Sequence, residues 1–231
     1  MHCAGLVKSS LVDYPGSIAA VWFVPGCNYD CFYCHNRSLI DGAHQLLQSD
    51  EAWRFLEKRA GLLEGLVITG GEPTLQPGLE DFIRRVRGLG YKVKLDTNGG
   101  RPQVVARLLQ EGLCDYYAVD YKAPATRYPQ IAGVGADPAA TRQTIDLLLA
   151  HGANFQVRTT VFPQLSEDDL LCMAQELPVV PLWVLNPYRM PPRYKQQDLP
   201  LLEAPPHNPQ QMTALAVAMQ AHQPHAVCPG K

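Results

Sequence analysis

The chain has 231 residues, of which 46% are hydrophobic and 18% are charged, and this composition excludes an intrinsically disordered protein. Its 20 basic and 22 acidic residues, with a formal net charge of -2, give no electrostatic reason to expect a nucleic-acid partner. No apolar run reaches the roughly 20 residues that span a bilayer, and the first residues lack the apolar core of a signal peptide, so the sequence predicts a cytoplasmic protein without a membrane partner.

Short β-branched and aromatic runs alternate with amphipathic stretches, which indicates βα units on a parallel sheet. In chain order the predicted strands are 18–24, 66–69, 93–96, 116–120, 155–161 and 182–185. The predicted helices are 50–59, 79–87, 103–110, 139–149, 166–177 and 210–220. This pattern suits an open doubly wound sheet or a (β/α) barrel short of eight units, and both fold types place the ligand site beyond the carboxyl ends of the strands.

Prolines are concentrated near the end of the chain. Nine of the 20 prolines lie between Pro178 and Pro209, so we expect no long regular elements in that stretch after the last strand. The sequence therefore predicts a core domain over residues 1–190. Residues 191–231 are expected to form a Pro-rich strap and a C-terminal helix packed on the core.

Seven cysteines are present, and their odd number in a cytoplasmic protein argues against a disulfide framework. Three of them, Cys27, Cys31 and Cys34, lie within eight residues directly after the first predicted strand. The other four are scattered singly: Cys3, Cys114, Cys172 and Cys228. The cluster of three indicates a binding site at the carboxyl end of the sheet.

This cluster of thiols has three possible interpretations, each with a different cofactor. The three cysteines and His35 could form a Cys3His zinc site, although structural zinc usually draws its ligands from two separated pairs. The C-x-x-C-H segment from Cys31 to His35 matches covalent haem attachment, which normally accompanies export. A [4Fe–4S] cluster is the third interpretation, since three thiolates would leave one iron open to a substrate or cofactor.

The C-x3-C-x2-C spacing, with Tyr33 before the third cysteine, resembles the cluster motif of the radical S-adenosylmethionine (SAM) superfamily. The resemblance implies that Cys27, Cys31 and Cys34 form the catalytic metal site with a [4Fe–4S] cluster, and that Tyr33 and His35 lie near SAM. One electron from the cluster would cleave SAM into methionine and a 5′-deoxyadenosyl radical. The implied fold is α/β, an incomplete (β/α)6 TIM-like barrel of the radical SAM type.

A glycine pair follows the second predicted strand in the segment TGGEPT, residues 69–74. A lone Gly-Gly is a common turn. In this position, however, Gly70, Gly71 and Glu72 resemble the family's GGE motif, which implies contact with the amino group of SAM. We expect no room for a side chain at the turn, so that Gly71→Val weakens SAM binding while the cluster stays intact.

The third and fourth predicted strands also end in polar residues. The segment DTNGG, residues 96–100, could be a simple capped turn. It resembles a segment of the enzymes that activate glycyl radical enzymes, which implies that Asp96 and Thr97 help to hold a monovalent cation near SAM. Asp120 and Lys122 resemble the D-x-K pair of the same enzymes, which implies that both side chains lie near SAM.

Two arginines complete the predicted SAM site. Arg158 lies in an otherwise apolar strand and needs a carboxylate, which either SAM or a structural salt bridge would provide. By resemblance it lies near SAM. Arg189 follows the last predicted strand where relatives often carry Pro-Tyr-His, and it is also expected to contact the cofactor.

The opening segment SLVDYPG, residues 10–16, resembles the start of the activating proteins of anaerobic ribonucleoside-triphosphate reductase. The resemblance implies an oxidoreductase that generates a glycyl radical on that reductase, with a flavodoxin or ferredoxin-type electron donor. The sequence shows no second cysteine cluster, which favours a minimal activase. Two alternatives stay open: an activase of pyruvate formate-lyase or another glycyl radical enzyme, and a non-catalytic zinc or iron–sulfur binding module.

Overall fold

Eight strands form one sheet in chain order, and the computed structural model describes residues 1–229 of the chain. The strands are β1 (Gly5–Ser10), β2 (Ala19–Val24), β3 (Gly65–Gly70), β4 (Lys92–Thr97), β5 (Tyr116–Asp120), β6 (Phe155–Val161), β7 (Trp183–Pro187) and β8 (Ala226–Val227). Strand β1 runs antiparallel to β2, and every later neighbour pair is parallel. Because β1 and β8 lie at the two edges, the described sheet stays open, which confirms the predicted α/β fold and incomplete barrel.

Helices connect the parallel strands, as expected for βα units. They are α1 (Arg37–Ile40), α2 (Ser49–Arg59), α3 (Leu79–Gly88), α4 (Pro102–Gln110), α5 (Tyr128–Ala132), α6 (Pro138–Ala150), α7 (Glu167–Glu176), α8 (Leu199–Leu202) and α9 (Pro209–Met219). The six predicted helices correspond to α2, α3, α4, α6, α7 and α9. The three that the sequence did not predict have four or five residues, which is too short for a 3.6-residue period to be visible.

The two faces of the sheet are packed differently. On β3, Leu66 and Ile68 join the large core that the helices cover, whereas Val67 packs with Tyr14 in a second cluster on the inner face of the open barrel. A Cβ at Gly65 would lie 2.8 Å from the Tyr14 ring, so only glycine at this position leaves enough space for the ring. Tyr14, from the SLVDYPG segment, therefore fills the inner face at the amino end of β3.

The last part of the chain packs against the seventh strand and helix. Helix α9 begins with a capping box between Asn208 and Gln211 and contacts α7 and β7, and β8 extends the sheet beside β7. Between β7 and α9 the chain forms only short elements, as the prolines predict. Within the described residues, no helix has the length and apolar character that a membrane span needs.

Candidate functional site

A cavity of about 260 Å³ lies at the carboxyl ends of the central strands. It brings together residues predicted from five separate sequence segments. The predicted site residues that line it are Cys27, Cys31, Tyr33, Cys34, His35, Gly70, Gly71, Glu72, Asp96, Thr97, Asp120, Lys122 and Arg158. Arg189 lines a different cavity, and its side chain is exposed. The structure therefore brings these predicted residues, apart from Arg189, together beyond the carboxyl ends of the strands.

The cysteine loop, residues 25–36, leaves β2 and presents its three thiols to the cavity. Burial raises the pKa of Cys27 to about 12 and that of Cys31 to about 11, and it also raises the pKa of Cys34. The thiols are therefore neutral in the metal-free protein at pH 7. Metal binding must displace their protons, because thiolates are the ligands.

Two N–H groups point at the sulfur of Cys27. The backbone N–H of Tyr29 donates to Cys27 Sγ at 3.4 Å, and Asn98 Nδ2 lies 3.8 Å from the same sulfur. The orientation of the Asn98 amide is fixed, because its Oδ1 accepts the backbone N–H of Gly100 at 2.8 Å while Nδ2 donates to Asn28 Oδ1 at 2.9 Å. Hydrogen bonds to ligand sulfurs are among the factors that set the reduction potential of an iron–sulfur cluster.

A buried arginine organises the middle of the cysteine loop. Arg37 is 3% exposed, donates through Nη2 to the carbonyl oxygen of Cys31 at 2.8 Å, and pairs through Nη1 with Asp30. Lys195, from the distant C-terminal part of the chain, pairs with the other oxygen of Asp30. The carboxylate of Asp30 thus links the cysteine loop to helix α1 through Arg37 and to the C-terminal part of the chain through Lys195.

Two more contacts join the cysteine loop region to the segment that follows β7. His35 Nε2 lies 2.7 Å from the carbonyl oxygen of Arg189, and Arg193 Nε donates to Asp41 Oδ2 at 2.6 Å. The structure therefore brings the backbone of Arg189, rather than its guanidinium, to the loop. We name residues 189–195, where the chain enters the predicted Pro-rich stretch, the strap segment.

The arrangement of the thiols bears on the choice between zinc and a larger cluster. Within residues 1–229, no three His, Cys, Asp or Glu side chains converge on a single metal-ion position. A tetrahedral zinc site needs such convergence, whereas the thiolates of a cubane each bind a different iron. The three thiols line one cavity, an arrangement that allows each thiolate to bind a different iron.

The glycine turn after β3 lies directly against the cysteine loop. Gly70 has a φ of +113°, and a Cβ there would lie 2.6 Å from the backbone nitrogen of Val24. A Cβ at Gly71 would overlap the carbonyl oxygen of Gly26, which accepts the N–H of Glu72 at 2.7 Å. The lack of room at Gly71 thus comes from the backbone that leads into Cys27.

The contact with Gly26 gives a structural reason to expect that a substitution at Gly71 also disturbs the cluster, contrary to the expectation from the sequence. We now expect even Gly71→Ala to displace the loop at Gly26 and to lower the iron content of the anaerobically reconstituted protein by at least about half, because a backbone atom cannot give way as a flexible side chain can. Gly88→Ala at the end of α3, where a Cβ meets nothing within 4 Å, is the matched control. Wild-type iron content in Gly71→Ala would contradict the close contact.

Glu72 ties the glycine turn to the turn after β4. It is 1% exposed, and its Oε1 accepts the hydroxyls of Thr74 and Thr97 at 2.6 and 2.7 Å, together with the Thr74 N–H at 3.0 Å. Its Oε2 accepts the N–H of Asn98 at 2.7 Å. Burial raises the pKa of Glu72 although these bonds oppose the shift. With four donors on one carboxylate, Glu72 first of all positions the backbone around it.

Five charged side chains form a row across the inner face, which we name the charge row. Lys94 pairs with Asp96 Oδ1, and Arg158 Nη1 donates to Asp96 Oδ2 at 2.8 Å. Arg158 Nε donates to Asp120 Oδ1 at 2.9 Å, and Lys122 Nζ lies 3.3 Å from Asp120 Oδ2. Of the two partners predicted for Arg158, the structure shows the salt bridges within the chain.

The charge row contains three basic and two acidic side chains, and burial and ion pairing shift their pKa values in opposite directions. Burial alone would raise the pKa of Asp120, but Arg158 and Lys122 hold that pKa below its usual value. Burial opposes the charged form of Lys122, but Asp120 keeps its pKa well above the usual value. Burial lowers the pKa of Lys94, and Asp96 counteracts this shift. Three cations against two carboxylates make the row suited to an anionic group.

Sequence reasoning missed several residues of the site, among them Lys94, Asn98 and Arg37. A signal for Lys94 existed: it precedes Asp96 by two positions on a strand, so both side chains lie on the same face. Arg37 and Asn98 lie within or beside predicted motifs, but their partners depend on contacts between separate segments. Nothing local in the sequence indicates those contacts.

The comparisons with known proteins agree with this geometry. The model of the Radical SAM superfamily matches residues 22–177. A Methanocaldococcus jannaschii protein, provisionally named a glycyl-radical enzyme activating enzyme, is 29% identical over 200 residues, which cover 84% of this chain and 82% of that protein. The solved structure of TYW1 with a lysine-pyruvate adduct has a TM-score of 0.57 at 17% identity and covers 89% of this chain and 73% of its own. Streptococcus suis SuiB bound to S-adenosylmethionine has a TM-score of 0.58 at 15% identity, covering 75% and 41%. The chain therefore belongs to the radical SAM superfamily, whose cofactors are SAM and an iron–sulfur cluster.

Proposed function

We propose that this protein is an activase that generates a glycyl radical on anaerobic ribonucleoside-triphosphate reductase, using SAM and a [4Fe–4S] cluster held by Cys27, Cys31 and Cys34. The observation that carries the proposal is the single cavity lined by all three thiols and by four side chains of the charge row, Asp96, Asp120, Lys122 and Arg158. The name of the M. jannaschii relative supports a glycyl radical enzyme as the substrate class. The SLVDYPG start of the chain supports the choice of reductase.

The chain's own residues would hold the two cofactors side by side. When bound, the cluster supplies one electron for the cleavage of SAM to methionine and the 5′-deoxyadenosyl radical. The glycine turn, seated against Gly26, offers backbone groups to the amino end of SAM. The charge row, with its excess positive charge, offers Lys122 and Arg158 to the carboxylate of SAM.

Aromatic packing would keep water from the cofactor site. Tyr33 is 6% exposed and stacks on Phe162 with ring centroids 5.1 Å apart, and Phe32 meets both rings edge to face. This cluster fixes the backbone between Cys31 and Cys34. A rigid, apolar wall beside the thiols limits side reactions of a radical with solvent.

The substrate glycine would enter through the open side of the barrel. The sheet ends at β1 and β8, and Phe23 on β2 and Asn186 on β7 are partly exposed. A glycyl hydrogen must come within reach of C5′ of SAM, so a loop of the reductase would have to leave its own core and reach into the cavity. A flavodoxin or ferredoxin-type protein is the proposed electron donor.

The test is anaerobic incubation of reconstituted protein with reductant, SAM and each candidate partner, followed by electron paramagnetic resonance. We expect a glycyl radical on anaerobic ribonucleoside-triphosphate reductase, with one 5′-deoxyadenosine formed per radical. A radical on pyruvate formate-lyase or another glycyl radical enzyme, and none on the reductase, would contradict the partner but not the chemistry. Absence of SAM cleavage under strong reduction, or stoichiometric zinc without sulfide in protein prepared without oxygen, would contradict the activase itself.

A further inference from the structure

The carboxylate of Asp96 is already occupied on both oxygens. The ammonium of Lys94 pairs with Oδ1, and Arg158 donates to Oδ2 at 2.8 Å. The hydroxyl of Thr97 donates to Glu72 at 2.7 Å and accepts the N–H of Gly99 at 3.0 Å. Resemblance implies a monovalent cation on Asp96 and Thr97, but these two residues do not fit one in this chain. Their oxygens bind side-chain and backbone groups of the protein instead.

Lys94 is an unusual residue for its position. It is 2% exposed and lies on the inner face of β4, opposite Val67 of β3 and Tyr116 of β5. A lysine is almost never fully buried unless it is paired. Within the described residues its ion-pair partner is Asp96, two positions along the same strand. The strand geometry therefore holds a positive charge directly against Asp96.

We propose that the Lys94 ammonium takes the place of the monovalent cation, so that this protein binds SAM without a sodium or potassium ion. Lys94 is then a positioning residue: it holds Asp96, and Asp96 holds Arg158. The inference rests on the proposed SAM site of this cavity. An ammonium group carries the same single charge as an alkali ion, and here the backbone of β4 holds it in place.

The charge count shows what Lys94 contributes. Without Lys94, two cations and two carboxylates would balance, and the charge row would be neutral. With Lys94 the row carries one net positive charge, which favours the carboxylate end of SAM. Removing Lys94 would also leave Oδ1 of Asp96 buried without a partner, which is costly in a site with little water.

The first test needs no variant. The dissociation constant of SAM is measured by equilibrium dialysis on anaerobically reconstituted protein in sodium, potassium and choline chloride at equal ionic strength. We expect the three constants to agree within about twofold. A constant at least about tenfold weaker in choline than in both alkali salts would overturn the proposal, since it would show that an alkali ion is required.

The second test compares Lys94→Met with Lys92→Met, whose lysine is exposed on the same strand. We expect Lys94→Met to bind SAM at least about tenfold more weakly in choline chloride and to recover in sodium or potassium, whereas Lys92→Met stays at the wild-type value. Wild-type affinity of Lys94→Met in all three salts would overturn the role of Lys94. If Lys94→Met does not fold, the salt comparison on the wild type decides.

The same measurements of SAM binding distinguish a failure of the proposed function from a failure of this inference. Protein that contains iron and sulfide but binds no SAM in any of the three salts would contradict the SAM site, and the inference with it. Protein that binds SAM only with an alkali ion would contradict the inference alone. The partner enzyme enters neither measurement.

Discussion

Replacing any one of Cys27, Cys31 or Cys34 by Ala is expected to abolish the cluster and, with it, SAM cleavage. The reconstituted wild-type protein should contain about four irons and four sulfides per chain, and each variant well under half of that. The reason is that no other thiol lines the cavity, among the residues described, to replace a lost ligand. Iron and sulfide analysis together with the visible absorption spectrum is the measurement.

The remaining cysteines provide the controls for this experiment. Cys172 is exposed, so Cys172→Ala should change neither iron content nor stability. Cys3 is fully buried, so Cys3→Ala should cost about 1 kcal/mol of stability through lost packing while the cluster forms normally. Loss of the cluster in Cys172→Ala, or full iron content in Cys31→Ala, would contradict the assignment of the ligands.

Arg158→Met is expected to lower the free energy of unfolding by on the order of 3 kcal/mol, because it removes the shared partner of one buried and one partly buried carboxylate. Those carboxylates belong to Asp96 and Asp120, at 2.8 and 2.9 Å from the guanidinium. Urea unfolding at pH 7 measures the loss. Arg142→Met is the matched control, since Arg142 is exposed and its pair with Asp146 at 3.8 Å should contribute less than about 1 kcal/mol.

The pH dependence of this loss has a definite sign. In the wild type the pKa of Asp120 lies below its usual value, so its ionised form stabilises the folded protein above a pH of about 4, and that stabilisation is lost as the pH falls through the folded-state pKa. The difference between wild type and Arg158→Met should therefore narrow below a pH of about 4. A difference that stays constant down to pH 3 would contradict an electrostatic role for Arg158.

The central strands were predictable because a parallel sheet buried on both faces requires apolar, β-branched runs such as the one in β2. The edge strands were not. Strand β1 carries Lys8 and two serines and is largely exposed, which is typical of an edge and leaves no hydrophobic run to detect. Strand β8 has two residues, too few for any period.

The site was predictable wherever a residue belongs to a short motif at a strand end, as for Cys27, Glu72 and Asp120. It was not predictable where a role depends on contacts between distant segments. Lys94 was missed because lysines in strands are usually exposed, and its burial follows from packing on the inner face. The close contact of Gly71 with Gly26 was not predictable, because Gly26 lies on another segment of the chain.

The strap segment also determines when the cysteine loop can be completed during synthesis. Its three contacts with the loop region join residues 152, 154 and 165 positions apart in the chain. At the usual translation rate of about 5–20 residues per second, roughly 8 to 30 s pass between the synthesis of the two ends of the shortest contact. Throughout that interval the cysteine loop region lacks all three of these contacts, so its final geometry depends on the last part of the chain to be synthesised.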